Sequence, residues 1–596
     1  MLARTDSRAR ALVLLVCATL VAGGVGARLV WWQAIEQGRL QTMALQQLAQ
    51  VQQIPAQRGE IRDANGDLLA TSVQVQSVFV TPPEVKDPES SAALLANVLN
   101  MPLDVVRAKL TSRSPWLWIK RRIDDQTAQR VRALRLPGIG MLPEPQRTYP
   151  VAGVGGGTTM AAQVLGYVDV NGAGRYGVEQ SEDALLAGQP GLVDAQKDVT
   201  GRRIADSVAQ LRSPVNGASL RLTIDAGVQH LLEAAMLETF KRNRAEGVTG
   251  LVMNVRTGAI VAMASFPSFD SNQYSSTDPQ RFANPAVSRQ YEPGSVMKAF
   301  TVSAALDAGA ITTSQTFLDN NNLQIGDVRI QNADRYWFPW GHGPINAAKV
   351  LQLSNNVGAA KIGLTLGGQK LYEAFRRFGF GSRTGIELAG EAAGQVWDPS
   401  SPNASGDLTT AQNSFGQGLS VTAVQLAAGY AAIANGGTMV TPHVVAGWTL
   451  PDGSYHPNDL KPGERIMRES TARTVMGLLT DSVDKGIANG GSIPGYSIGG
   501  KTGTAEIAGP MQVKGADGKV TTVYGYVPRW IDSSFIGVMP ASNPQLVTLI
   551  LIHKPAVWGL YQMAERPEAV FRKLAPQVLD YLAIPPDRPG SQVAAR

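Results

Sequence analysis

The chain has 596 residues, of which 44% are hydrophobic and 17% charged, as in an ordinary globular protein of about two to four domains. The formal net charge is only +6 and no dense block of Lys and Arg occurs, so nucleic acid is not expected as a partner. The single cysteine, Cys17, excludes an intrachain disulfide and a thiolate metal cluster. The five histidines lack the close spacing of a metal motif, and no metal or cofactor is predicted.

The first predicted element is a membrane-spanning helix. Residues 11–27 carry no charge, arginines precede them, and the apolar character continues beyond Arg28. Because this run is longer than the ~7–15 residues of a signal-peptide core, it predicts an uncleaved anchor at 11–34. The arginines place a short tail, 1–10, in the cytoplasm and the rest of the chain outside. The alternative is a signal peptide cleaved after the small residues "VGA" that end at position 27.

A region of mixed short helices and strands is predicted to follow the anchor, over residues 35–215. It opens with a Gln-rich stretch, 38–53, which is interpreted as a helix that lifts the body off the membrane. Asn65-Gly66 lies between flanks of alternating apolar residues, and this pattern predicts a β-hairpin. Gly-rich loops separate the later elements of the region.

A second, larger region is predicted over residues 216–585. A strand ends at Asp225, and apolar residues at helical spacing follow it. The segment "LVMNVRTGAIVAMASF" predicts a two-stranded hairpin that turns at residues 256–258, and "LVTLILIH" predicts a late buried strand. The Pro-rich end, 586–596, is predicted to be disordered.

The stretch "YEPGSVMKAFT" places Ser295 and Lys298 three residues apart at the start of an apolar helical run. A buried lysine on the same helix face has a lowered pKa and could activate the serine. The plain alternative is a helix start with a serine cap and a solvated lysine. A second Ser-x-x-Lys, Ser482 and Lys485, has acidic neighbours and a nearby Gly, which is typical of a polar helix end.

A second polar motif, Ser354-Asn355-Asn356, opens or lies within a regular apolar segment, and its plain interpretation is a helix N-cap. The pattern Ser-x-Asn also occurs at Ser401-Pro-Asn403, within a loop rich in Pro, Ser and Asn, and the first occurrence is preferred.

A third motif, Lys501-Thr502-Gly503-Thr504, is much rarer by chance than the other two. In a strand, Lys501 and Gly503 would share one face and the two threonines the other. A cation beside hydroxyl groups suits an anionic ligand, and Gly503 would allow the close approach of a ligand backbone. The alternative is a Thr-rich exposed edge strand.

In this order, the three motifs resemble those of the penicillin-binding protein and serine β-lactamase superfamily. Further segments resemble class B penicillin-binding proteins: "RGEIRDANGDLLA", "RTYP", "YGVEQSEDALLAGQPG", "LTIDAGVQ" and "SFGQGLSVTAVQLAAGYAAIANGG". The compact chain between "RGEIRD" and Ser295 resembles the division-specific type more than the elongation type with its enlarged head. The resemblance implies a multidomain α+β fold. Its parts would be the transmembrane helix, an elongated α/β pedestal of the dimerisation type and a C-terminal transpeptidase domain with an antiparallel sheet flanked by helices.

The resemblance also implies a role for each motif in D,D-transpeptidation. Ser295 would be the nucleophile and Lys298 its base, while Ser354 would pass the proton to the leaving amine and Asn356 would hold the donor amide. The substrate carboxylate would bind at the third motif, which consists of Lys501, Thr502, Gly503 and Thr504. Backbone N–H groups of Ser295 and Thr504 would form the oxyanion hole.

The implied partners are peptidoglycan stem peptides, β-lactams, the membrane, and a multi-span glycan polymerase of the shape, elongation, division and sporulation family. The expected process is septal wall synthesis. The alternatives are an elongation-type transpeptidase and a membrane-anchored β-lactam sensor or inactive scaffold.

Two segments depart from the family pattern: "LYQMAERPEAVF" keeps only the end of "GG-x-x-A-A-P-V-F", and Trp530-Ile-Asp532 replaces His-x-x-x-Ala-x-F. Both departures concern acceptor recognition.

Overall fold

The computed structural model describes residues 7–31, 49–196, 209–402, 404–514, 520–556 and 563–588. The chain divides into two compact units, which are residues 1–57 with 188–217 and residues 58–187 with 218–596. Helices and strands are numbered below in chain order through both units.

The first unit contains helix α1 (Ser7–Val30) and a three-stranded antiparallel sheet in the order β1 (Ala49–Ile54), β8 (Gly191–Gln196), β9 (Ala209–Arg212). Within the described part of the chain, only Ala11–Val30 forms a helix that is long and apolar enough to cross a membrane, with mean hydropathy 2.1. The remaining predicted anchor residues, 32–34, lie outside the described residues.

The helix predicted over residues 38–53 is wrong at its C-terminal end, and residues 38–48 lie outside the described residues. Residues 49–54 form strand β1, in which Val51 pairs with Asp194 of β8. Intrinsic preferences are a weak guide here, because pairing with a strand about 140 residues away decides the conformation.

The second unit contains the remaining strands. Those before residue 230 are β2 (Ile61–Arg62), β3 (Leu68–Val80), β4 (Leu117–Ile123), β5 (Ile139–Thr148), β6 (Tyr167–Val168), β7 (Gly174–Arg175) and β10 (Ser219–Leu222). Those after it are β11 (Gly247–Asn254), β12 (Ile260–Phe266), β13 (Thr316–Asp319), β14 (Leu323–Ile325), β15 (Val328–Ile330), β16 (Gly343–Asn346), β17 (Val445–Thr449), β18 (Tyr455–Pro457), β19 (Gly499–Lys514), β20 (Val520–Met539) and β21 (Leu546–His553).

The helices of the second unit pack against its sheets and against one another. They are α2 (Pro88–Leu99), α3 (Leu103–Leu110), α4 (Asp125–Ala133), α5 (Ala162–Leu165), α6 (Gly177–Ser181), α7 (Asp183–Ala187), α8 (Ala226–Asn243), α9 (Pro285–Ser288), α10 (Lys298–Asp307), α11 (Ala347–Gln352), α12 (Asn356–Leu366), α13 (Gly368–Arg377), α14 (Asp407–Ser414), α15 (Ala423–Ala434), α16 (Glu469–Lys485) and α17 (Pro567–Tyr581).

A mixed seven-stranded sheet runs in the order β18-β17-β10-β2-β3-β4, with β5 paired to β3. The hairpin predicted at Asn65-Gly66 is confirmed, because β2 and β3 pair antiparallel across it. The Asp63 carboxylate accepts hydrogen bonds from the N–H groups of Asn65 and Asp67, each 2.8 Å long, and thereby holds the turn. Strands β17 and β18 join this sheet from a much later part of the chain.

An antiparallel five-stranded sheet, β12-β11-β21-β20-β19, forms the centre of the region after residue 216. The predicted hairpin that turns at residues 256–258 is confirmed, and every residue of the predicted strand "LVTLILIH" is buried. On one face, Val248 and Val252 belong to the same core cluster as apolar residues of α8 and α17. On the other face, Leu251 belongs to the core cluster of α10 and α15, the helices that surround the candidate site.

Three residues of the tail that is predicted to be disordered, 586–588, are among those that the structure describes. The Asp587 carboxylate accepts a 2.7 Å hydrogen bond from Ser497 N, and Arg588 forms an ion pair with Asp484 at 3.0 Å. Composition predicts disorder here because Pro-rich ends rarely bury apolar surface, and it carries no information about such polar contacts. Residues 589–596 lie outside the described residues.

Candidate active site

Ser295 lies in a single 3₁₀ turn, Gly294–Met297, which leads directly into α10. The turn approaches strand β19 so closely that a Cβ atom on Gly294 would lie 2.5 Å from Thr504 O, and Gly294 has φ +60°. Pro293, not Ser295, occupies the cap position of the turn, and Lys298 is 0% exposed. The plain interpretation, a serine cap with a solvated lysine, is therefore wrong.

The amine of Lys298 lies among four oxygen atoms. Its Nζ is 2.8 Å from Ser295 Oγ, 2.7 Å from Asn356 Oδ1, 2.5 Å from the Ser354 carbonyl oxygen and 3.2 Å from Ser354 Oγ. The structure therefore brings the first two motifs together around one nitrogen.

Two of these neighbours can only accept hydrogen bonds from Lys298. The Ser354 carbonyl has no hydrogen to give, and the Asn356 side-chain amide uses its nitrogen to donate to Gln331 O at 3.0 Å, which turns Oδ1 toward Lys298. A neutral amine has two hydrogens and one lone pair. When both hydrogens go to these acceptors, the lone pair is left for the hydroxyl hydrogen of Ser295.

Ser354 connects the two buried lysines of the site. Lys501, which is also 0% exposed, donates from Nζ to Ser354 Oγ at 2.9 Å and to Thr502 O at 3.1 Å. Because Ser354 Oγ is also 3.2 Å from Lys298 Nζ, a proton could pass along this chain of groups. The third motif thus meets the other two in one cluster.

Burial changes the protonation of both lysines. Burial, followed by the positive charge of Lys501, lowers the pKa of Lys298 well below its ordinary value, while Asp334 opposes this shift. Burial also lowers the pKa of Lys501 to about 7, although the Glu568 carboxylate raises it in part. The lowered pKa favours the neutral form of the Lys298 amine.

The segment 501–504 is part of strand β19, and its alternation agrees with the predicted one. Lys501 and Gly503 are buried, Thr502 is partly exposed and Thr504 is exposed. A Cβ atom on Gly503 would lie 2.4 Å from Ser534 Oγ and 2.9 Å from Pro293 O. The chain itself therefore approaches Gly503, and the two threonines face outward beside Ser295.

The second Ser-x-x-Lys forms no comparable site. Ser482 is buried and its Oγ donates to Leu351 O at 3.3 Å, whereas Lys485 is exposed at the end of α16 and pairs with Asp481. The other Ser-x-Asn cannot be compared, because Asn403 lies outside the described residues. Within the described residues, no group of three His, Cys, Asp or Glu side chains could hold a metal ion.

Further residues hold the Ser295 turn, and motif reasoning assigned them no role. The buried Tyr430 hydroxyl donates to Val296 O at 2.9 Å, and Gly294 N donates to Gly416 O at 3.0 Å. Both partners lie in the segment "SFGQGLSVTAVQLAAGYAAIANGG", which contributed to the resemblance only as a signature. The sequence therefore contained both residues within a family signature, but it did not show that they hold the Ser295 turn.

The departure at Trp530 and Asp532 has a structural use in this chain. Asp532 is buried and pairs with the His553 imidazole at 2.6 Å, while Lys554 lies 3.8 Å from the centre of a Trp530 ring. These contacts tie strand β20 to the end of β21.

Comparison with known proteins identifies the family. The sequence model described as "Penicillin binding protein transpeptidase domain" matches residues 248–575, and that described as "Penicillin-binding Protein dimerisation domain" matches residues 53–222. The chain is 31% identical to the probable peptidoglycan D,D-transpeptidase PenA of Neisseria meningitidis, over 98% of this chain and 94% of PenA. It is also 31% identical to the peptidoglycan D,D-transpeptidase FtsI of Escherichia coli, over 96% of this chain and 91% of FtsI.

Solved structures agree with these sequence relatives. Penicillin binding protein 3 from Mycobacterium tuberculosis, crystallised in complex with aztreonam, matches with a TM-score of 0.65 and 26% identity, over 90% of this chain and 98% of that chain. The match includes the pedestal and transpeptidase domains, so the predicted fold class is confirmed. The chain therefore belongs to the class B penicillin-binding proteins and is an enzyme of their transpeptidase class.

Proposed function

We propose that this chain is a peptidoglycan D,D-transpeptidase in which Ser295 is the nucleophile and Lys298 its general base. The observation that carries the proposal is the fully buried Lys298 amine, 2.8 Å from Ser295 Oγ, with two obligatory acceptors that leave its lone pair for the serine. The donor is a stem peptide that ends in D-Ala-D-Ala. β-Lactams acylate the same serine because they mimic that dipeptide.

The reaction proceeds in two steps. Ser295 Oγ attacks the carbonyl carbon of the penultimate D-Ala while Lys298 accepts the hydroxyl proton. The amide C–N bond breaks, and the leaving amine of the terminal D-Ala receives a proton through Ser354. An acceptor amine then attacks the acyl ester, which forms the cross-link and releases the Ser295 hydroxyl.

The third motif binds the donor carboxylate and helps to stabilise the tetrahedral intermediate. Lys501, when charged, attracts the carboxylate, and the outward hydroxyl groups of Thr502 and Thr504 donate to it. The N–H groups of Ser295 and Thr504 form the oxyanion hole, in which each donor contributes about 3 to 4 kcal/mol. The close approach of Gly294 to Thr504 supports this pairing of N–H groups, and Gly503 permits it.

Replacement of Ser295 by Ala tests the assignment of the nucleophile. We expect this variant to lose labelling by a fluorescent penicillin, because it lacks the attacking oxygen, whereas Ser482→Ala should label like the wild type. Labelling is measured on denaturing gels. Equal labelling of the wild type and Ser295→Ala would refute the assignment, and loss of labelling in Ser482→Ala would point to the other Ser-x-x-Lys.

The rate of acylation should depend on pH as a bell-shaped curve. Acylation needs a neutral Lys298, so it should fall as pH drops through the lowered pKa of that amine. Carboxylate binding needs a charged Lys501, so the second-order rate constant should fall as pH rises through about 7. Stopped-flow acylation from about pH 5 to 10 measures both limbs. A profile that is flat over this range would contradict the assignments.

Replacement of Gly503 by Ala should reduce the acylation rate about 10²-fold, because a Cβ atom there would push strand β19 away from the Ser295 turn. The matched control is Gly477→Ala within α16, where nothing lies within 4 Å of the added carbon and the helix should gain up to about 1 kcal/mol. Acylation kinetics and thermal unfolding of both variants provide the comparison. Wild-type acylation by Gly503→Ala would show that the strand can accommodate a side chain.

We also propose a role in septal wall synthesis, with elongation as the alternative. The support is the compact chain between "RGEIRD" and Ser295, which resembles the division-type enzymes more than the elongation type with its enlarged head. The position of a fluorescently tagged chain in dividing cells tests this role. Signal along the side wall and none at the septum would favour elongation.

The proposed topology is a single-pass anchor with its N-terminus in the cytoplasm and the catalytic region outside. Its support is the apolar helix Ala11–Val30 and the arginines that precede it. A multi-span glycan polymerase is the proposed partner at the anchor and pedestal. The partner is tested by a photo-crosslinking amino acid at Gly23, which should capture such a polymerase in membranes. The topology is tested by protease added outside the membrane, which should remove the catalytic region.

A further inference from the structure

Asp319 is a buried carboxylate, 1% exposed, at the end of strand β13, where it receives hydrogen bonds from four different residues. The donors are Asn321 N at 2.9 Å, Asn332 Nδ2 at 2.9 and 3.0 Å, His342 N at 3.0 Å and Asn355 Nδ2 at 2.6 Å. Burial alone would raise the pKa of Asp319, but these hydrogen bonds hold it below its ordinary value, so the group is ionised at neutral pH.

Two of these donors shape the first turn of α12, which carries Asn356. Asn355 caps the helix, because its Oδ1 accepts from Gly358 N at 2.7 Å while its Nδ2 donates to Asp319. Asn332 Oδ1 accepts from the N–H groups of Asn356 and Val357 at 2.9 and 3.1 Å. The Asp319 carboxylate thus fixes both amides, and these amides hold the backbone of the turn.

Ser354 needs this support because its backbone is strained. It has φ +55°, a left-handed conformation that a residue other than Gly rarely adopts and that persists only where the surrounding structure holds it. In this conformation, both the carbonyl oxygen and Oγ of Ser354 lie within hydrogen-bond distance of Lys298 Nζ. The residue that follows, Asn355, is the one that Asp319 holds.

We propose that Asp319 is a positioning residue of the transpeptidase, which presents Ser354 and Asn356 to Lys298 through the side chains of Asn355 and Asn332. The proposal rests on the catalytic assignments made above, since it concerns the same lysine. The hydrogen bonds of Asp319 go to Asn321, Asn332, His342 and Asn355 rather than to the reacting groups. The competing explanation is that Asp319 stabilises the fold without affecting the geometry at Lys298.

The test compares Asp319→Asn with wild type in acylation by a fluorescent penicillin. The replacement keeps the shape but turns one carboxylate oxygen into an NH2 group where donors from four residues converge, so the remaining oxygen cannot accept every hydrogen bond from Asn355 and Asn332. We expect the first-order acylation rate constant to fall about 10- to 100-fold. The dissociation constant of the noncovalent complex should change less than about threefold, since Lys501 and the two threonines are untouched.

Two further variants separate positioning from stability. Glu391→Gln is the matched control, because Glu391 is also a buried carboxylate that accepts from Thr384 N, Thr384 Oγ1 and Gly385 N but has no hydrogen bond to the catalytic segment. It should lose thermal stability with little change in acylation. The exchange variant Asp319→Asn/Asn355→Asp restores the carboxylate–amide pair between these two positions, and Asp is as good a helix cap as Asn. It should recover part of the lost rate, because Asn332 and His342 N still face an amide at position 319.

A wild-type rate constant in Asp319→Asn would overturn the proposal. So would a loss that Glu391→Gln reproduces at an equal drop in melting temperature, or a loss that the exchange variant does not lessen at all. A failed catalytic assignment would give a different result, because Ser295→Ala would then label like wild type whatever happens at Asp319.

Discussion

Replacement of Lys298 by Met is expected to lower the rate of acylation by a fluorescent penicillin about 10³-fold. The change removes the amine that lies 2.8 Å from Ser295 Oγ but keeps an unbranched side chain of similar length in the buried site. General-base catalysis contributes about 10²- to 10⁴-fold in enzymes. We expect an effect in the upper part of this range, because the lone pair of Lys298 is left for the hydroxyl hydrogen of Ser295. Stopped-flow or quenched labelling measures the rate constant.

Lys485→Met provides the matched control for this experiment. Lys485 is the lysine of the second Ser-x-x-Lys, but it is exposed and pairs with Asp481. We therefore expect acylation in this variant to equal that of the wild type. Labelling of Lys298→Met within a few-fold of the wild type would contradict the assignment of the base, provided that the variant unfolds cooperatively.

The local elements were predictable because their signals are short-range. The hairpin at Asn65-Gly66 has the dipeptide that a tight turn demands, and the strand around Lys501 has a side-chain period of two that requires no partner to be recognised. The same is true of the buried strand β21, whose eight residues are nearly all aliphatic. Each of these predictions agrees with the structure.

Strand β1 was not predictable from its own residues. Its Gln-rich sequence has no strong preference, and its conformation is decided by β8, which lies far along the chain. The contacts of Asp587 and Arg588 were not predicted for a similar reason, because composition near a chain end carries no information about polar partners on the folded body. In both cases the partners are distant in sequence.

The site was predictable only in part. The three motifs identified the groups that meet at Lys298, but their plain interpretations were also partly right, because Asn355 does cap a helix. No sequence motif marks the left-handed conformation of Ser354. None marks the Asp319 carboxylate, which accepts a hydrogen bond from the next residue, Asn355. Asp and Asn in a short segment are typical of turns, so the sequence around Asp319 resembles an ordinary loop.

Replacement of Glu179 by Gln should destabilise the second unit by about 3 to 5 kcal/mol. Glu179 is 0% exposed and pairs with two buried arginines, Arg58 at 2.6 Å and Arg147 at 2.7 Å. The Tyr149 hydroxyl donates to the same carboxylate at 3.2 Å. Removal of one charge would leave two buried guanidinium groups without their shared carboxylate. Among the described residues, Arg58 keeps an ion pair with Asp183, and Arg147 keeps none.

The large effect follows from where these partners lie. Arg58 precedes β2, Arg147 lies on β5 and Glu179 lies on α6, so one carboxylate joins three segments that are far apart in sequence. Urea unfolding measures the loss, and Glu60→Gln is the control, since the Glu60–Arg62 pair is exposed and should contribute at most about 1 kcal/mol. An equal loss of unfolding free energy in both variants would contradict the prediction. It would mean that the structure around Glu179 relaxes and lets water hydrate the two arginines.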